Sequence, residues 1–154
     1  MDIQIRRATL ADANVIAGFN QLLAQETEHL QLDAARVQAG VTALLNDPAK
    51  GVYFVAEIKG AIAGQLMITY EWSDWRNGNF WWIQSVYVAE KFRGSGVFKA
   101  LFNHVRALAQ KEGNVPSLRL YVEAQNTRAR QAYDKLGFKK TYYEIFELDL
   151  PLSS

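Results

Sequence analysis

The sequence predicts an α/β domain built on a mixed central sheet with helices on both faces, in the order βααβββαβαβ. Three observations carry this. Short β-branched and aromatic runs alternate with stretches of helical period along the whole chain. Two of the helices open directly behind strands. No repeat, low-complexity tract or linker interrupts the 154 residues, so residues 1–154 are expected to form one domain.

Each element follows from its own pattern. Ile3 and Ile5 alternate with polar residues as in a short strand. Thr9 and Asp12 then form a capping-box pair, and Ala13, Ile16, Ala17, Asn20 and Leu23 share one helical face. Asp33 is placed to cap a second helix striped by Val37, Val41, Leu44 and Leu45, which must stop before Pro48. Residues 52–58 and 62–70 are β-rich runs joined at Lys59-Gly60, a hairpin signature. Residues 71–79 are expected to interrupt with polar and aromatic residues and the turn pair Asn77-Gly78; residues 80–88 then read as a buried strand.

A helix over 94–110 turns Val97, Leu101, Val105 and Leu108 inward and ends near Gly113. Residues 118–123 form the next strand. The helix over 126–136 places Ala129, Ala132, Tyr133 and Leu136 at i, i+3, i+4 and i+7, with Gly137 as its C-terminal cap. Residues 139–148 are expected to close the sheet as a last strand.

Composition removes several classes of function. There is no cysteine, hence no disulfide, thiolate metal site or cysteine nucleophile. Seventeen Lys and Arg against 16 Asp and Glu leave a net charge of +1, which gives no general pull toward nucleic acid or an anionic membrane. No apolar run approaches the roughly 20 residues that span a bilayer, and the first ten residues lack the layout of a secretion signal. A cytoplasmic protein with no membrane, metal or nucleic-acid partner is expected.

Two segments carry chemistry. Arg93-Gly94-Ser95-Gly96-Val97-Phe98 lies between a strand and a helix. Its glycines permit a close backbone approach, and the helix that follows offers free N–H groups and a positive dipole end to a diphosphate. It is neither a Walker loop nor the dinucleotide fingerprint, and by itself Gly-x-Gly before a helix is equally a plain turn. Some thirty residues on, Asn126, Ala129, Tyr133, Gly137 and Phe138 spell N-x-x-A-x-x-x-Y-x-x-x-G-F. The plain alternative is an N-cap, a helix core and a C-cap.

In this order and spacing the two segments resemble the GNAT superfamily of N-acetyltransferases, and the element order agrees along nearly the whole chain. The resemblance implies a GNAT-like mixed sheet and acetyl-coenzyme A as co-substrate. It implies that residues 93–98 cradle the diphosphate, that main-chain groups of Val86 and Val88 pair with the pantetheine amides, and that Asn126 belongs to the cofactor site. It implies direct transfer to a primary amine with Tyr133 as general acid. The sequence departs from the family pattern twice. Phe98 stands at the last small position of the loop, and Gln84 stands where several members have a basic glutamate.

An alkyl amine with a pKa near ~10.4 must lose a proton before it attacks. Glu71 and Glu123 are the candidate bases by position; a water chain to solvent, or plain strand-end charges, are the alternatives. Trp72 and Asp74, in the individual segment 71–78, and His29, between the first two helices, are candidate acceptor contacts. His104 and Trp82 read as packing residues. A small-molecule amine is the expected acceptor; a protein lysine or N-terminus, or a coenzyme A-binding module without catalysis, stay open. The aromatic last strand, with Tyr142, Tyr143 and Phe146, suits a homodimer.

Overall fold

The computed structural model describes residues 2–153. Among the described residues, besides two single 3-10 turns, nine strands and α-helices follow one another: β1 (Gln4–Arg7), α1 (Ala13–Glu28), α2 (Ala34–Leu45), β2 (Val52–Ile58), β3 (Ala61–Ser73), β4 (Gly78–Val88), α3 (Val97–Glu112), β5 (Leu118–Leu120) and α4 (Thr127–Lys135). The chain falls into two compact units, one up to Tyr121 and one from Val122 onward.

In the first unit the sheet order is β1-β2-β3-β4-β5. Pairing is antiparallel through β4, and β5 joins β4 in parallel. The β2–β3 hairpin turns on Lys59 and Gly60, both left-handed at φ 51° and 79°, the geometry that matches the twist of a two-residue loop. Consecutive strand residues face opposite sides, and β3 uses both. Gln65 bonds to Asn20 of α1. On its neighbour Gly64, a Cβ would come within 2.8 Å of Val97 of α3 and 2.9 Å of the Tyr87 carbonyl. Thus α1 and α3 cover opposite faces, as the fold class requires.

The core is apolar and closed. Ile16, Val55, Leu66, Leu101 and Val105 are each 0% exposed. At its edge Arg6 grips Asp12 through both terminal guanidinium nitrogens, at 2.8 and 2.9 Å, while Asp12 accepts the Thr9 N–H at 2.7 Å. This holds the Asp12 carboxyl below its usual range, chiefly through Arg6.

In the second unit α4 is capped at both ends. Asn126 Oδ1 accepts the Ala129 N–H at 3.1 Å. The N–H groups of Gly137 and Phe138 return to the carbonyls of Asp134 and Tyr133, a Schellman closure with Gly137 at φ 99°.

Three expectations need correction. Residues 139–148 form no strand: their aromatic and β-branched residues favour extended backbone, but a strand exists only through a ladder, and among the described residues they make none. β5 stops at Leu120 rather than at residue 123. Glu71 and Trp72 do not interrupt β3, because pairing continues through Glu71↔Phe80, Trp72↔Asn79 and Ser73↔Gly78. No described helix is long and apolar enough to cross a membrane.

Candidate active site

The site is built around the second half of β4. Its pairing with β5 ends at Ile83↔Leu120, although β4 runs on to Val88. Over the same stretch the β3–β4 register slips. Gln65 faces Tyr87 and Met67 faces Gln84, so Ser85 and Val86 stand opposite Leu66 alone. Ser85 takes φ 51°, rare for a residue with a side chain, and the bulge re-aims the backbone there. Gln65, wholly buried, braces the bulge by donating its Nε2 to the Ser85 carbonyl at 3.0 Å and to Asn20 Oδ1 at 2.9 Å. Both partners are acceptors, which fixes the amide's orientation and leaves Oε1 buried with no partner in the described residues.

Beyond Val88 comes the glycine loop. Gly94 and Gly96 sit at φ 82° and 83°, with open space where a Cβ would point. Both values are left-handed, which is why α3 begins at Val97 and not at residue 94. Gly96 holds the cap position and has no side chain to fold back on the first turn. The start of this 16-residue helix therefore stays open to an anion. An elongated ligand with two amides and a diphosphate fits this course: an unladdered strand edge, a bulge, then a helix N-terminus. Phe98 is half-buried and lies 6.2 Å from the Phe102 ring, so its bulk is turned into packing.

On the α1 face a cavity of about 350 Å³ lies beside the bulge, lined among others by Asn20, Leu23, Glu28, Val41, Tyr53 and Ser85. Asn20 Nδ2 donates to the Tyr53 hydroxyl at 3.2 Å, so a polar chain Tyr53–Asn20–Gln65–Ser85 links cavity and bulge. None of these four residues belongs to the two motifs of the sequence. The signals of this polar chain were a glutamine inside the apolar run 63–68 and an asparagine on the inner face of α1.

The other expected residues of the first unit are not gathered there. Glu71 is exposed on β3, accepting from Trp82 Nε1 at 2.8 Å and Arg119 at 3.2 Å. Four residues along the strand, about 13 Å, separate it from Met67, the last regular pair before the bulge. Trp72 is 61% exposed, and Asp74 lies in the exposed turn between β3 and β4. His29 is an exposed, left-handed cap at the end of α1. Trp82 stacks on Tyr121 with centroids 4.6 Å apart, and His104 meets Phe54 edge-on at 5.3 Å; both are packing residues, as expected. Gln84 donates to Thr69 Oγ1 at 2.7 Å.

In the second unit Tyr133 is half-buried and sits edge-on to Phe138, 5.8 Å between centroids. Burial raises its phenol pKa, so it holds its proton throughout the neutral range. Glu123 accepts the Gln125 N–H at 3.1 Å in a local turn. Among the described residues no group of three His, Cys, Asp or Glu could hold a metal.

Fold and site together define a mixed α/β protein whose fourth strand outruns its parallel partner and leads into a glycine turn at the head of a helix. The GNAT acetyltransferase family model matches residues 16–138. A solved structure of a possible acetyltransferase from Clostridium difficile 630 superposes with a TM-score of 0.93 at 44% identity, over 97% of this chain and 99% of that one. The N-alpha-acetyltransferase of Sulfurisphaera tokodaii is 26% identical over 90% of this chain and 81% of its own length. The probable N-acetyltransferase san of Drosophila melanogaster is 28% identical over 64% of this chain, a match that spans only 53% of the fly protein. The chain belongs to the GNAT family of acetyltransferases, and its reaction class is acetyl-coenzyme A-dependent N-acetylation.

Proposed function

We propose that the chain transfers the acetyl group of acetyl-coenzyme A to the primary amine of a small molecule by direct attack, with Tyr133 as general acid. The observation that carries this is the course of β4: pairing with β5 ends at Ile83, the bulge follows at Ser85–Val86, and the strand leads into the Gly94–Gly96 turn at the head of α3. The backbone from Gly94 to Phe98 would hold the diphosphate, and main chain near Val86 and Val88 the pantetheine amides. Asn126, whose side chain caps α4, would shape the site through that helix.

The co-substrate supplies the activated acyl group, which leaves the chain to orient the amine and handle protons. The cavity beside Ser85 falls within the usual size of a small-molecule site, and Glu28 at its wall favours a cation. Tyr133, protonated at neutral pH, is suited to give its proton to the departing thiolate. Glu71 is engaged on the sheet surface, which leaves Glu123 or water as the route for the amine's proton. Trp72, Asp74 and His29 are exposed and would meet only the outer part of an acceptor.

A second reading has one observation in its favour: the Sulfurisphaera relative is named an N-alpha-acetyltransferase, which fits a peptide N-terminus as acceptor. Release of free thiol from acetyl-coenzyme A with a panel of small amines and of peptides separates the two readings. Turnover with small amines alone supports ours; turnover with peptides alone replaces it; none with either leaves a binding module. We also propose a homodimer, because Tyr142, Phe146 and Leu148 are 87%, 91% and 86% exposed, an apolar surface that pairing would cover. Light scattering at micromolar concentration is expected to give twice the chain mass, and Phe146→Ser with Leu148→Ser to halve it; a wild-type monomer would contradict the proposal.

A further inference from the structure

A cluster that neither the glycine loop nor the cavity requires ties α1 to the start of the loop. Glu26, near the end of α1, takes two charge-assisted bonds. The Tyr87 hydroxyl donates to its Oε2 at 2.6 Å, and Arg93 Nη2 to its Oε1 at 2.7 Å. Arg93 also gives its Nε to the Val88 carbonyl at 2.9 Å. Its guanidinium lies 5.4 Å from the Tyr87 ring, which in turn packs on Phe19 of α1 at 5.1 Å. The first residue of the loop is thus held by a carboxylate, a carbonyl and a ring at once.

The ionisation states agree with this arrangement. Tyr87 and Arg93 hold the Glu26 carboxyl below its usual range. Burial, and then Glu26, pushes the Tyr87 phenol up to about 12. Donor and acceptor forms therefore persist across the neutral range. A guanidinium oriented in this way, with two of its nitrogens already engaged, is poorly placed to reach for a diphosphate as well.

We propose that Glu26 and Arg93 form a latch that positions the coenzyme A loop against α1, so that Arg93 is a positioning residue of the loop and not a ligand of the diphosphate. The inference rests on the reading that residues 93–98 seat coenzyme A. Because Asn20, Leu23 and Glu28 of the same helix line the cavity, one ion pair sets both the seat of the carrier and one wall of the cavity.

Calorimetric titration of coenzyme A into the wild-type chain and its variants tests the latch. If the wild type takes up none, the underlying reading has failed. Given wild-type binding, Glu26→Ala is expected to raise Kd about tenfold, and Arg93→Ala by a similar factor. The double variant is expected to cost less than the product of the two single effects, since both singles break the shared Glu26–Arg93 ion pair. Glu26→Gln, which keeps the side chain's shape, is expected to repeat most of the loss. In turnover assays the KM for acetyl-coenzyme A is expected to rise more than kcat falls, which a general loss of folded protein would not produce. The latch is overturned if Glu26→Ala leaves Kd unchanged, or if the two single effects multiply in the double variant. It is overturned equally if Glu26→Ala tightens binding, as it would were a freed Arg93 able to reach the diphosphate.

Discussion

The two units use apolar residues in opposite ways. Up to Tyr121, the large aliphatic side chains lie between sheet and helices, with Ile16, Leu66 and Leu101 at 0% exposure. From Val122 onward none of the described residues is fully buried, and Phe146, Leu148, Leu150 and Leu152 are 76–91% exposed. The first unit carries its own reason to fold: each strand is laddered and each helix stripe is covered. The second has one well-capped helix and an apolar tail in search of a surface. The difference separates the two halves of the proposed chemistry. The broken sheet edge and glycine loop belong to a self-sufficient scaffold, whereas the phenol assigned to proton transfer belongs to a piece too short to hold a core alone.

That contrast can be sharpened from the chemistry down. Tyr133→Phe is expected to lower kcat about a thousandfold while coenzyme A still binds; kinetics beside calorimetry would check this, and an unchanged rate would remove the residue from the mechanism. Next in size, Leu101→Ala is expected to cost about 2–5 kcal/mol in urea unfolding, the cost of a cavity in a packed core. Asp12→Asn should cost about 1–3 kcal/mol, because Arg6 loses one of its two carboxylate partners and keeps only Glu57. Its pH dependence has a definite sign. The folded Asp12 pKa is depressed, so the wild type enjoys this stabilisation above the ordinary carboxylate range and loses it as pH falls through the folded value. The variant's unfolding midpoint should therefore fall less steeply in acid. Smallest of all, Leu148→Ala should change the stability of the monomer by less than about 0.5 kcal/mol. A loss as large as that at Leu101, at a concentration that keeps the chain monomeric, would mean the tail is buried within its own chain, and the contrast between the units would fall.

How far the sequence could be read follows the same division. The glycine loop and the capped helix from Asn126 to Phe138 were legible because their demands are local. Gly94, Gly96 and Gly137 must take left-handed φ, and a cap needs a side chain within three residues. The hairpin at Lys59-Gly60 was legible for the same reason. Glu26 meets Tyr87 and Arg93 only because α1 packs on β4 in one register, and no spacing in the chain announces that. Gln65 did give a signal, a lone amide in an apolar strand, but its meaning depended on a bulge in the neighbouring strand. The last strand failed in the opposite sense: 139–148 is rich in aromatic and β-branched residues, yet pairing is a property of two segments and composition reports on one.

Titration of acetyl-coenzyme A into the wild-type chain by calorimetry tests the account most directly. One equivalent should bind with a Kd in the range of about 1 μM to 1 mM typical of such substrates. No heat of binding at millimolar carrier, with either the acylated or the free form, would contradict the assignment of the β4 edge and the Gly94–Gly96 turn.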